Sequence, residues 1–158
     1  MSFIQPSPMI LFMLMVIVTS ASSARFCSGS WTESPYSGTC IKVFESSKTW
    51  GEARTSCQSF GADLVRILNA RMNTLIYDLI KLVRAKYFWL GLHARPNGVF
   101  RWLDDSTKAN YTHWVTQPPK HHDRPVAAEM RKGQGGKWHH YSQDYQQGYV
   151  CEKLAGKL

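Results

Sequence analysis

The chain is 158 residues long, carries a formal net charge of +8 and contains four cysteines. That length suits one domain and excludes two ordinary ones. The cationic excess suits acidic partners (sulfated or sialylated glycans, acidic proteins, anionic surfaces or mineral), or it serves solubility alone.

Residues 1–24 read as a cleaved secretory signal rather than as fold. Residues 9–18 form an apolar run of signal length, too short to span a bilayer. Ser22-Ser23-Ala24 offers small residues for cleavage before Arg25. No Lys or Arg precedes the run, so the amino terminus carries the only positive charge there. A membrane anchor is the weaker reading, and no other run is apolar enough for a membrane span. The signal holds no charged side chain, so the charge belongs to residues 25–158, which are expected to be secreted and extracellular. An oxidising compartment makes Cys27, Cys40, Cys57 and Cys151 disulfide candidates, and four cysteines allow three pairings. No CxxC spacing occurs, which argues against zinc-ribbon and thioredoxin-like sites. The compartment also removes nucleic acid as a partner.

Residues 25–40 are polar and rich in turn signals, with Trp31 as an aromatic anchor. Cys27 and Cys40 bracket them, and a local bridge there is the simplest pairing. Residues 41–44 alternate as a strand. Residues 49–60 predict a helix. Thr49 and Glu52 make a capping-box pair, Trp50, Ala53, Cys57 and Phe60 share one face, and Gly61 stops it. Residues 64–67 are short and extended. Asn69 caps a second helix, expected through about Arg84, whose wide apolar stripe (Met72, Leu75, Ile76, Leu79, Ile80, Leu82, Val83) needs a sheet to pack on.

Tyr87-Phe88-Trp89-Leu90-Gly91-Leu92 is nearly all apolar, the pattern of a strand buried on both faces. Asn97-Gly98 predicts a hairpin turn into residues 99–102. Prolines break every period over residues 116–125, predicting a long irregular surface loop of the kind that carries function. Residues 126–130, 137–141 and 149–152 read as strands, with residues 133–136 as a turn.

In this order the motifs resemble the C-type lectin-like domain family. Phe88-Trp89-Leu90-Gly91-Leu92 is similar to that family's WIGL strand. Thr49-Trp50-Gly51-Glu52-Ala53-Arg54 with Cys57, then Gly61-Ala62-Asp63-Leu64, resembles its first helix and exit. Phe100-Arg101-Trp102-Leu103-Asp104-Asp105-Ser106 resembles the segment after the central hairpin, and Tyr149-Val150-Cys151-Glu152 the last strand. The resemblance implies an α+β domain over residues 25–158, with two helices flanking antiparallel sheets, termini that meet and a long ligand loop. It implies a Cys57–Cys151 bridge between first helix and last strand. It matches Cys27–Cys40 to the N-terminal bridge of the family's long form.

Departures from the family pattern bear on function. The usual second bridge beneath the ligand loop falls at Ala127 and Gln143 here, so both cysteines are absent together and a looser loop is expected. Calcium-binding members use oxygens from an EPN or QPD tripeptide, a following Glu and the Asn-Asp of a WND motif. Calcium takes six to eight oxygens, several of them anionic. This chain has Gln117-Pro118-Pro119 and Trp138-His139-His140 at those places, and imidazole is a poor calcium ligand. Gln117 and Glu129 could still donate oxygen, but two groups do not complete such a site. The expectation is a lost calcium site, no metal cofactor, and no calcium-dependent mannose or galactose binding through it.

What remains is basic and aromatic. Lys120, His121, His122, Arg124, Arg131, Lys132 and Lys137 are expected to gather around the loop and hold sulfate or carboxylate groups. Trp138 and Tyr141 lie near in sequence and could stack on sugar rings. The alternative is a solvated loop without ligand. His113, His121, His122, His139 and His140 also fall in this region. Neighbours on a strand point to opposite faces, so His139 and His140 would rarely share a metal. Protonation near pH 6.5, adding to a positive loop, is the milder expectation. Asn110-Tyr111-Thr112 is an N-glycosylation acceptor.

An enzyme is not expected. GxSxG, HExxH and phosphate-binding glycine loops are absent, and the adjacent Asp104-Asp105 suit a turn better than acid–base work. Two binding readings remain. One is a calcium-independent lectin for acidic or sulfated glycans. The other is a protein- or mineral-surface binder, as in family members of venoms, defence fluids and shell matrix.

Overall fold

The computed structural model describes residues 25–96, 99–103, 109–118 and 123–157. Residues 1–24, the Asn97-Gly98 turn, Asp104, Asp105, Ser106, Lys120, His121 and His122 lie outside the described residues.

The run at residues 87–92 forms the middle of a sheet, as its composition predicts. This strand, β5 (Tyr87–Ala94), buries Phe88, Trp89, Leu90 and Leu92 completely. One edge pairs antiparallel with β7 (Val126–Arg131). The other pairs with β6 (Phe100–Trp102) and with β9 (Gln147–Leu154). Strands β2 (Thr32–Ser34) and β3 (Thr39–Lys48) continue the sheet beyond β9, and β8 (Trp138–Ser142) closes it beyond β7. A two-residue β4 (Asp63–Leu64) also pairs with β9. The β5–β9 pair is parallel, with Phe88 opposite Gly148, which corrects the expectation of antiparallel sheets. The chain leaves β8 and crosses to the far side of β5 over residues 143–146, so β8 and β9 run the same way. Strands β1 (Arg25–Phe26) and β10 (Gly156–Lys157) pair and bring the ends of the domain together.

Local chemistry sets both helix starts. In α1 (Trp50–Gln58) the Thr49 hydroxyl accepts from the Glu52 amide while the Glu52 carboxylate accepts from the Thr49 amide, the reciprocal box expected. In α2 (Ala70–Lys81) the Asn69 side chain accepts from the Met72 amide. The exit from α1 is a Schellman pair of bonds: Ala62 N–H to Cys57 O and Gly61 N–H to Gln58 O, with Gly61 at φ 66°. Two expected core residues turn outward at these exits. Phe60 is 46% exposed and stacks on Phe44, and Leu82, at the α2 cap, is 81% exposed.

A larger core packs Met72, Ile76 and Ile80 of α2 against Phe88, Leu90, Leu92, Met130 and Trp138. A smaller one packs Trp50, Ala53 and Cys57 of α1 against Trp89, Ala127, Tyr149 and Cys151. The bridges are Cys27–Cys40 and Cys57–Cys151. Two indoles lock the first helix to the central strand: Trp50 Nε1–H donates to Leu90 O, and Trp89 Nε1–H to Lys48 O.

Candidate functional site

The residues singled out by sequence fall on the β7–β8 ribbon and the loop before it. The ribbon's register places Glu129 opposite His139 and Ala127 opposite Tyr141. Side chains alternate across a strand. Ala128, Met130, Trp138 and His140 therefore share one face, and Ala127, Glu129, Arg131, His139 and Tyr141 the other. The former packs on α2 and the long loop. The latter is turned away from α2.

Trp138 belongs to the core. It is 0% exposed, and its indole N–H donates to Asn73 Oδ1 at 2.7 Å. Trp114 and Tyr111 meet its ring edge-on, with centroids 5.6 and 5.8 Å away. Its backbone N–H donates to His113 O, and its carbonyl accepts from Val115 N–H. Trp138 thus pins the long loop to the edge of β8, and the expected sugar-stacking role is corrected because no ring face reaches solvent. His140 lies on the same face, edge-on to Trp114.

On the other face Glu129 is 1% exposed, and its Oε1 lies 2.6 Å from Arg131 Nε. The Arg131 guanidinium also sits over the Tyr87 ring, 5.4 Å from its centroid. Arg131 is therefore held by a carboxylate and an aromatic rather than projecting from a cationic loop. His139 Nε2 is buried with no hydrogen-bond partner among the described residues. Burial, and then the charge of Arg131, push the His139 pKa down, with Glu129 opposing. This side chain resists the protonation near pH 6.5 that the sequence suggests. Tyr145, beside Tyr141, holds the Tyr141 phenol above its usual range.

Among the described residues the predicted basic side chains do not form one cluster. Arg124 is exposed just before β7, whereas Lys132 and Lys137 are exposed in the turn beyond its other end. The five steps between its six residues, at about 3.4 Å each, place about 17 Å between those ends. The Lys132 ammonium donates to Val83 O. Gln117 is exposed on the loop, as is Asn110.

Glu129 is buried and committed to Arg131, and the two residues that follow Trp138, His139 and His140, offer nitrogen rather than anionic oxygen. Among the described residues no group of three or more His, Cys, Asp or Glu converges as a metal site.

Four residues beside the Glu129–Arg131 pair were missed by sequence reasoning: Tyr87, Tyr145, Gln146 and Gln147. Tyr87 reads as part of a buried strand, yet it is 47% exposed. The available signal was the two-residue period that already separates His139 from His140.

A family model described as the lectin C-type domain matches residues 46–153. The chain belongs to this family. The family consists of binding modules rather than enzymes. Among its relatives is a perlucin-like protein of Mytilus galloprovincialis, 26% identical over 147 residues, covering 89% of this chain and 93% of the relative. Another is one chain of the snaclec agkisacutacin of Deinagkistrodon acutus, 31% identical over 148 residues, covering 89% of this chain and 93% of the relative. A solved calcium-independent type II antifreeze protein shares the fold, with a TM-score of 0.71 at 22% identity over 84% of this chain and 98% of that one. No helix among the described residues is long and apolar enough to cross a membrane.

Proposed function

We propose that the chain is a secreted carbohydrate-binding module that works without calcium and prefers acidic or sulfated glycans. The observation that carries this reading is the loss of oxygen donors: His139 and His140 follow Trp138, and the Glu129 carboxylate is tied to Arg131. A hard cation would meet nitrogen and a neutralised carboxylate there. The net charge of +8 supplies long-range attraction to polyanions instead. The exposed Arg124 marks one cationic point, preceded in the sequence by Lys120, His121 and His122, and the exposed Lys132 and Lys137 mark a second. Two points separated by the length of β7, about 17 Å, suit an extended polyanion better than a single sulfated sugar.

Retention on heparin–agarose tests the reading. It is expected to be unchanged by EDTA, to fall steeply with salt, and to weaken in a Lys120→Ala/Arg124→Ala variant. Capture of a monosaccharide that vanishes on chelation would overturn it. The snaclec and perlucin-like relatives favour a second reading, a protein- or mineral-surface binder without sugar recognition. Retention indifferent to a soluble glycan competitor, with pull-down of a defined protein, would select it. On either reading residues 1–24 are removed as a signal, so the intact mass begins at Arg25. The exposed Asn110 carries an N-glycan, to be seen as a mass loss on enzymatic deglycosylation.

A further inference from the structure

A cavity of about 360 Å³ opens on the face of the β7–β8 ribbon that is turned away from α2. It is lined by Tyr87, Glu129, Arg131, Tyr141, Tyr145, Gln146 and Gln147. Small-ligand sites run from about 300 to 1,000 Å³, mostly aromatic or apolar walls with a few placed polar groups. This cavity has that make-up. Tyr87, Tyr141 and Tyr145 are 47%, 39% and 53% exposed, and the Tyr141 and Tyr145 rings meet edge-on at 4.5 Å. The polar side is Glu129 paired with Arg131, together with Gln146 and Gln147. Gln147 is 6% exposed, and its Oε1 is buried with no hydrogen-bond partner among the described residues. A buried acceptor without a donor is rare in folded proteins and asks for a partner.

The chemistry of these groups selects the ligand. The Glu129–Arg131 pair has no net charge. An anion would face the Glu129 carboxylate and would bring no proton to Gln147 Oε1. A cation would face the Arg131 guanidinium. An apolar ligand would leave Gln147 Oε1 without a partner. A hydroxyl both donates and accepts. A sugar ring can donate to Gln147 Oε1 and to the Glu129 carboxylate, accept from Arg131, and lay its C–H face on a tyrosine. We propose that this cavity binds a neutral sugar ring, held by the Glu129–Arg131 pair, Gln147 and the tyrosine walls without any metal. It uses residues and chemistry separate from the cationic contact proposed above, and does not depend on it.

The test is an NMR titration of the ¹⁵N-labelled, secreted chain in EDTA. The probes are D-galactose, D-mannose, N-acetyl-D-glucosamine and L-fucose. At least one is expected to give saturable shifts over residues 139–147 and at the Gln147 side-chain amide. Tyr145→Ala, an exposed position whose loss leaves the core intact, is expected to weaken that binding by about tenfold or more, with an otherwise unchanged spectrum and unchanged heparin retention. Glucuronic acid or a sulfated galactose binding here more tightly than its neutral parent would overturn the proposal. So would shifts that need added calcium, or none with any probe at tens of millimolar. Because heparin retention is read separately, failure of either proposal leaves the other standing.

Discussion

Burial and the neighbouring Arg131 both disfavour a proton on His139, and Glu129 opposes them less strongly. Its pKa in the folded protein therefore lies below that in the unfolded chain. As pH falls, the unfolded chain takes up the proton first, so stability is full above the unfolded value of about 6.5 and declines as pH drops through it. His139→Gln removes this titration. Urea unfolding between about pH 7.5 and 5 should show a fall in the parent that is shallower in the variant. A parent that gains stability towards acid, or equal slopes in both, would contradict this account. Glu129 makes a second residue-level case. Its side chain is 2% exposed and that of Arg131 28%. Glu129→Ala leaves a partly buried guanidinium without its carboxylate, at a cost of about 3 kcal/mol, the low end for such pairs because Arg131 keeps some solvent. Replacing both, as Glu129→Leu with Arg131→Met, should recover most of that loss in the same denaturant titration.

Two glycines test element boundaries in different ways. At Gly91 an added Cβ would lie 2.7 Å from Leu64 O, because the central strand runs against the backbone of residues 64–65 and donates to Val65 O. Gly91→Ala must push two backbones apart and should cost about 3 kcal/mol, the upper end for overpacking. At Gly61 a Cβ would meet open space, but φ is 66°. Gly61→Ala should cost about 1–2 kcal/mol from backbone strain alone, and Gly61→Asn less. Denaturant midpoints rank the three. The contrast also explains what could be read from the sequence. Helix starts were legible at Thr49 and Asn69 because a cap is a bond between residues three apart. The exit at Gly61 was legible for the same reason. Phe60 and Leu82 read as core residues because helical spacing extends past the last turn, where the chain bends away. The parallel pairing of β5 with β9 joins residues sixty apart, and no local signal encodes it. The candidate site was partly legible for a related reason. Sequence neighbours were grouped as one rim, but Arg124 and Lys132 sit at opposite ends of a strand, and Trp138 faces inward. The composition of the rim could be read, but not its division between two faces and two ends.

At the scale of the whole molecule, the two bridges close loops of unequal length. Cys57 and Cys151 are 94 residues apart and tie α1 to β9, while Cys27 and Cys40 are 13 apart. In the chain-entropy picture the longer loop contributes about 4.7 kcal/mol and the shorter about 2.9 kcal/mol. Cys57 and Cys151 are both fully buried, so replacing them with alanine adds a packing loss in the core beneath α1. A domain of this size is stable by only about 5–15 kcal/mol. The Cys57→Ala/Cys151→Ala variant should therefore lose most of its folded structure near body temperature. The Cys27→Ala/Cys40→Ala variant should stay folded with a lower melting point, because β2, β3 and the β1–β10 pair still hold that end of the chain by backbone hydrogen bonds. Thermal unfolding followed by circular dichroism separates the outcomes. Equal losses would mean that the two loops are held by something other than their length, and would shift the weight of the fold from the α1–β9 staple to the sheet it crosses.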